Sequence, residues 1–247
     1  MHNLTKWILP FLIIFALGCQ ADQDGGQTTN TATVPVPAEA PASAQAANEA
    51  RPAAAVNANY VAGTHYEVLP QPVPTADPNR IEVTEVFWYG CGHCYDFEPL
   101  FEAWAESLPD DVAIVRSPAM WDQQGIMERH ARIYYTARAL GVFDKLHMAA
   151  FEAMNLHRNQ LETEDAIAKL FEDNGVSRED FDRTFNSFGV TSAVRQAESR
   201  LRGYRTQGTP EVVVNGSYRV SSRMTGGHQG MLDVTGFLID KIRSEQE

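Results

Sequence analysis

The sequence predicts an α/β protein in which an opening strand-helix-strand unit is separated from a closing hairpin and helix by an inserted all-helical region. Three observations predict this. Ile81 to Tyr89 (IEVTEVFWY) alternates and then runs apolar like a buried strand, and Tyr95 to Leu108 immediately carries its apolar residues at helical spacing. Val112 to Arg116 reads as a second strand, after which only helical patterns follow as far as Gly203. Asn215-Gly216 then stands between the β-rich runs Glu211 to Val214 and Ser217 to Val220, the strongest short-range hairpin signal.

At the first junction lies Cys91-Gly92-His93-Cys94. Two thiols two residues apart at the start of a helix can interconvert between dithiol and disulfide, which makes thiol-disulfide exchange the leading chemistry. Cys91 is expected at the N-cap, where the unpaired N–H groups of the first turn and the positive end of the helix dipole favour thiolate over thiol. The thiolate is the nucleophile, so Cys91 is the candidate attacker and Cys94, one turn on, the candidate resolving thiol. His93 between them is placed to bring a donor or a positive charge near Cys91. The alternative of half a zinc site needs two more ligands, whereas only one other cysteine exists and His65, His130, His147, His157 and His228 show no paired metal-ligand spacing. A purely structural disulfide would close too small a loop to constrain the unfolded chain much.

A right-handed crossover makes Val112 to Arg116 parallel to Ile81 to Tyr89. Helices are expected at Gln124 to Leu140, Asp144 to Asn155, Thr163 to Asn174, Ser177 to Ser187 and Thr191 to Gly203, with Thr163 and Ser177 as caps and Asn174-Gly175 as a stop. Gly230 to Arg243 closes the chain, with Met231, Val234, Leu238 and Ile242 on one stripe that suits packing against a sheet. Asn215-Gly216-Ser217 also fits a glycosylation sequon, but the turn explains it better.

The N-terminus has a different character. Met1 to Lys6, an apolar run Trp7 to Leu17 and Ala16-Leu17-Gly18-Cys19 read as an export signal too short to span a bilayer. It resembles a bacterial lipoprotein signal in which Cys19 becomes the lipidated first residue, with Ala16 where that pattern prefers leucine. Ala21 to Asn59 holds thirteen alanines and repeated Pro and Thr but no aromatic, Leu or Ile, the composition of a flexible tether. The organisation expected is therefore a signal over 1–18, lipidated cysteine and tether over 19–59, one fold in two parts over 60–119 and 208–247, and the helical insertion over 120–207. The formal charge of −12 without basic clusters argues against a nucleic-acid partner.

This element order is that of a thioredoxin fold with an inserted helical domain. Phe87-Trp88-Tyr89-Gly90-Cys91-Gly92-His93-Cys94-Tyr95 with Phe97-Glu98-Pro99, and Gly208-Thr209-Pro210-Glu211-Val212-Val213-Val214-Asn215-Gly216 far downstream, resemble the DsbA family of periplasmic disulfide oxidases from about Tyr66 onward. The resemblance implies a depressed cysteine pKa, an oxidising disulfide, no cofactor and no metal. It also implies that Pro210 is a cis-proline beside the cysteines, that Thr209-Pro210 backbone groups pair with an extended substrate segment, and that Glu85 is a buried acid exchanging protons with Cys94. Strand alternation equally permits Glu85 to face outward. Arg116 stands where the family often has lysine and cannot release a proton at ordinary pH. Trp88, Tyr89, Tyr95 and Phe97 are candidates for a peptide groove, with Phe97 and Trp104 better suited by their spacing to the core.

The expected function is donation of the Cys91-Cys94 disulfide to reduced exported polypeptides, followed by reoxidation by a membrane quinone-linked enzyme of the DsbB type. The expected setting is the periplasm, as a monomer tethered through a lipid anchor, and Gln20 after Cys19 favours the outer membrane. The competing readings are a disulfide isomerase or reductase, since the Gly-His dipeptide also occurs in disulfide isomerases, and a lipoprotein that binds peptides without catalysis.

Overall fold

The computed structural model describes residues 60–122 and 125–246 of the protein. Its first strand, Glu67–Val68 (β1), is a two-residue edge strand. Ile81–Phe87 (β2) is buried at every position, as a strand covered on both faces must be. Gly92–Ala105 (α1) returns the chain to Val112–Pro118 (β3), which pairs parallel to β2 with Ile81 opposite Val112 and Glu85 opposite Arg116. Glu211–Val214 (β4) runs antiparallel on the other side of β2, and Tyr218–Ser221 (β5) antiparallel to β4, giving the sheet order β1-β5-β4-β2-β3. The β4-β5 turn has both Asn215 and Gly216 at positive φ, 48° and 59°, which is why Asn-Gly occupies it. Gly216 is fixed twice over, since a Cβ there would lie 1.9 Å from the Val73 carbonyl oxygen.

Between β3 and β4 come Ile126–Ala139 (α2), Phe143–Asn155 (α3), Glu164–Asp173 (α4), Arg178–Phe185 (α5) and Phe188–Tyr204 (α6). Thr163 and Ser177 cap their helices by accepting from Ala166 and Asp180 N–H groups, each at 3.1 Å. Ser187 does the same for Val190 at 3.2 Å, so α6 starts at Phe188 and not at Thr191. After β5 a four-residue helix, Ser222–Thr225 (α7), precedes His228–Gln246 (α8). The strand expected to reach Tyr89 ends at Phe87, where the chain turns into the helix.

Two apolar layers sandwich the sheet. Phe97 and Phe101 of α1 and the stripe Met231, Val234, Leu238 and Ile242 of α8 pack on Ile81, Val83, Val212, Val214 and Val220. Opposite, Val86 and Val213 meet Met127 and Ala131 of α2 and Val190, Val194 and Leu201 of α6. A third cluster inside the helical insertion, including Ile133, Leu146, Phe151, Phe171 and Phe181, extends to Phe87, Tyr89 and Cys94. The insertion's core thus ends against the β2-α1 junction. Among the described residues no helix is long and apolar enough to cross a membrane. The stretches 1–18 and 19–59, with Cys19, lie outside the described residues.

Candidate active site

At that junction Cys91 is the N-cap of α1, with extended backbone (φ −94°, ψ 111°), and its Sγ accepts the Cys94 N–H at 3.4 Å. A turn holds it there. The Cys91 N–H donates to the Trp88 carbonyl at 2.9 Å, and Asn155 of α3 donates from Nδ2 to the Tyr89 carbonyl at 2.9 Å. The Cys91 thiol is half-buried and its pKa is pulled down to about 5. The Cys94 thiol, donating to the Cys91 sulfur, contributes most; burial opposes it, and the Thr209 side chain and the Cys94 and His93 N–H groups add to the lowering. Cys94 is fully buried, and burial, then the neighbouring Cys91 sulfur, push its pKa far up. One sulfur is thereby prepared to carry charge and the other to keep its proton.

Thr209, followed by Pro210 directly before β4, meets this pair. The Thr209-Pro210 peptide bond is cis, and the Thr209 carbonyl oxygen lies 3.4 Å from Cys91 Sγ, accepting its S–H when that thiol is protonated. The bend Gly208-Thr209-Pro210 therefore brings one backbone carbonyl, that of Thr209, beside the reactive sulfur.

Charged groups gather farther down β2. Glu85 is completely buried, and Arg116 on the neighbouring strand lies with Nε 3.2 Å from Glu85 Oε2. The same guanidinium reaches Glu98 at 2.8 Å and Glu102 at 2.5 Å, both on α1. His147 of α3 meets Glu98 Oε1 with Nε2 at 3.2 Å and the Tyr89 hydroxyl with Nδ1 at 2.9 Å. Burial raises the Glu85 pKa well above the usual carboxylate range, the Glu98 charge raises it further, and Arg116 offsets only part. For Glu98 burial also opposes ionisation, but the His147 ring 3.2 Å away and the charge of Arg116 outweigh it, so its pKa falls. Burial lowers the His147 pKa despite Glu98, so at neutral pH that ring is neutral and Arg116 supplies the balancing charge. One cation among three carboxylates leaves Glu85 as the acid that keeps its proton.

The description "DSBA-like thioredoxin domain" matches residues 82–234. The chain belongs to the DsbA family. The thiol:disulfide interchange protein DsbA of Pseudomonas aeruginosa is 39% identical over 186 residues, covering 75% of this chain and 87% of that protein. That of Azotobacter vinelandii is 39% identical over 184 residues, covering 74% and 85%. The crystal structure of Pseudomonas aeruginosa DsbA superposes with a TM-score of 0.73 at 39% identity, covering 76% of this chain and 96% of that one. Xylella fastidiosa DsbA superposes at 0.70 with 31% identity, covering 75% and 98%. Membership of the DsbA family makes this protein a thiol:disulfide oxidoreductase with a role in oxidative folding.

In this DsbA-family fold Cys91, Cys94, Thr209 and Pro210 come together, while Glu85 belongs to the charge cluster and does not face outward. His93 is exposed; it offers its backbone N–H to Cys91, but its ring lies edge-on to His228, with centroids 6.3 Å apart. One groove candidate is corrected: Tyr89 is 1% exposed and belongs to the core, while Phe97, 0% exposed, lies in the core as its helical spacing suggested. Trp88 is half-buried and donates from Nε1 to His130 Nδ1 at 3.0 Å. Glu98 and His147 are the site residues the sequence reading did not single out. Glu98 had a usable signal, since positions 94, 97, 98 and 101 form one helical stripe and all four are buried.

Proposed function

We propose that the protein donates its Cys91-Cys94 disulfide to reduced exported polypeptides. A substrate thiolate attacks Cys91 Sγ, forming a mixed disulfide and expelling Cys94 as a thiolate, which takes up a proton. A second substrate thiol, deprotonated, then attacks the substrate sulfur of the mixed disulfide and releases Cys91 as a thiolate. The substrate loses two electrons and two protons; the enzyme is left reduced, with one proton on Cys94 and Cys91 as the thiolate, and the other proton passes to solvent. The observation that carries the direction is Cys91 at the N-cap with its pKa near 5: it is a good leaving group in the second step. Glu85, buried with a raised pKa, suits the role of proton partner for Cys94, and Thr209-Pro210 the role of backbone partner for an extended substrate segment.

The dithiol requires an electron acceptor, for which family membership supports a membrane reoxidase of the DsbB type. The export signal and Cys19 support a periplasmic location on a lipid anchor, with the acidic domain on a tether of residues 21–59. Cys19→Ala is expected to yield a soluble exported form with unchanged redox activity; a wild type found wholly in the soluble periplasmic fraction would contradict the anchor. The decisive experiment mixes the oxidised protein with a reduced, unfolded polypeptide bearing two cysteines and no other oxidant. Stoichiometric transfer of one disulfide, absent in Cys91→Ser, is expected; activity confined to a substrate with scrambled disulfides would favour the isomerase.

A further inference from the structure

Directly after Pro210 stands Glu211, the first residue of β4, which is 4% exposed and belongs to neither the cysteine pair nor the Glu85 cluster. Its two carboxylate oxygens accept the Gln207 N–H at 3.2 and 3.3 Å, so the carboxylate closes the Gln207-Gly208-Thr209-Pro210 loop from beneath; the Gly208 N–H adds a further donor. Across β5, Arg219 Nε lies 3.9 Å away, itself 3% exposed and bound to Glu67 of β1 and to the Arg205 carbonyl at the end of α6. Arg219 and Glu67 are the charged groups that act on Glu211, and the loop adds the Gln207 and Gly208 N–H groups. This is the loop whose Thr209 carbonyl touches Cys91.

We propose that Glu211 is a positioning residue that sets substrate affinity, its buried carboxylate fixing the Gln207–Pro210 loop in the pose that pairs with an extended substrate segment. The proposal rests on the oxidase reading above. A carboxylate binds an N–H roughly twice as strongly as a neutral acceptor does. Burial raises the Glu211 pKa to about 7, with Arg219 and the Gln207 N–H offsetting part of the rise, so the strong form of the clamp appears as pH passes through neutrality. Because the folded pKa is raised, the stability that the protonated group contributes is lost as pH rises through about 7. Glu211→Gln escapes that loss, so a kinetic defect at pH 8 does not come from unfolding.

The test uses oxidised wild type and Glu211→Gln with a peptide bearing two cysteines, recording single-turnover oxidation against peptide concentration from pH 6 to pH 8. The half-saturating concentration of the variant should match wild type at pH 6 and exceed it by about tenfold at pH 8, with the limiting rate within about twofold. A parallel nitrogen-15 NMR titration should show the Gln207 amide moving with an apparent pKa near 7 in wild type and flat in the variant. A variant-to-wild-type ratio constant across pH, a loss confined to the limiting rate, or an untitrating Gln207 amide would overturn the proposal. A wild type that never oxidises the peptide would instead overturn the oxidase reading, and the proposal with it.

Discussion

The N-terminus of α1 and the carboxylate cluster beneath it place titratable groups in one structural unit and shift them in opposite directions. Cys91, at the rim, has its pKa lowered to about 5, while Glu85, in the interior, has its pKa raised. Burial opposes charge at both, so depth alone does not separate them. Donors do. Cys91 is approached by the Cys94 thiol, the Thr209 side chain and two backbone N–H groups, and these outweigh its partial burial. Neither Glu85 oxygen accepts a hydrogen bond in good geometry, and its single cation is shared with Glu98 and Glu102. A helix end open to incoming donors makes an anion; a strand interior with one shared arginine keeps an acid neutral.

Removing the shared cation should break the interior half of this contrast most severely. Arg116→Met leaves Glu98 and Glu102 without their cation, and a loss of about 3–5 kcal/mol at pH 8 is expected from denaturant melts. The loss should shrink as pH falls and the carboxylates protonate; an equal loss at all pH would point to packing on Phe101 and Phe143 instead.

Glu85→Gln tests the same region with the opposite sign. Since the folded pKa of Glu85 lies above its unfolded value, the stability it contributes is complete below the unfolded pKa and disappears as pH rises through the folded one. The glutamine variant should therefore be more stable than wild type at pH 8, by about 1–2 kcal/mol. Loss of stability there would mean that the Arg116 contact outweighs desolvation.

Cys94→Ala sharpens the rim half. It deletes the leading donor to the Cys91 sulfur but leaves the N-cap backbone intact, so the thiolate absorbance titration should move the Cys91 pKa up from about 5 by about one unit. No movement would assign the whole effect to the helix terminus.

Much of the rim was legible in the sequence, because its cause is local. A strand pattern running into Cys91-Gly92-His93-Cys94 and a helical pattern fixes an N-cap sulfur without distant contacts, and Asn215-Gly216 fixes its turn in the same way. The interior was not legible, because its cause is remote. Glu98 reads as an ordinary helix carboxylate until His147, on another helix, and Arg116, on another strand, converge on it. The two-residue β1 and four-residue α7 are too short to show periodicity, and Tyr89 is packed against both Phe87 at the end of β2 and Phe151 of the insertion, a remote contact that no local pattern shows. The Glu211 clamp depends on a fold-back of four residues that no spacing rule encodes.

The central claim is that the folded chain holds Cys91 as a thiolate, and the difference in unfolding free energy between reduced and oxidised protein, followed from pH 5 to pH 7, tests it most directly. Only the reduced form carries the ionisable sulfur, so any constant contribution from closing the disulfide loop drops out of the pH dependence. With the folded pKa near 5 and the unfolded near 8.5, the thiolate's contribution is present above the unfolded value and is lost as pH falls through the folded one. Reduced minus oxidised stability should therefore rise by about 1–2 kcal/mol between pH 5 and pH 7, allowing for solvent screening of a half-buried sulfur. A difference that stays flat or falls over that range would contradict the thiolate, and with it the disulfide's power as an oxidant.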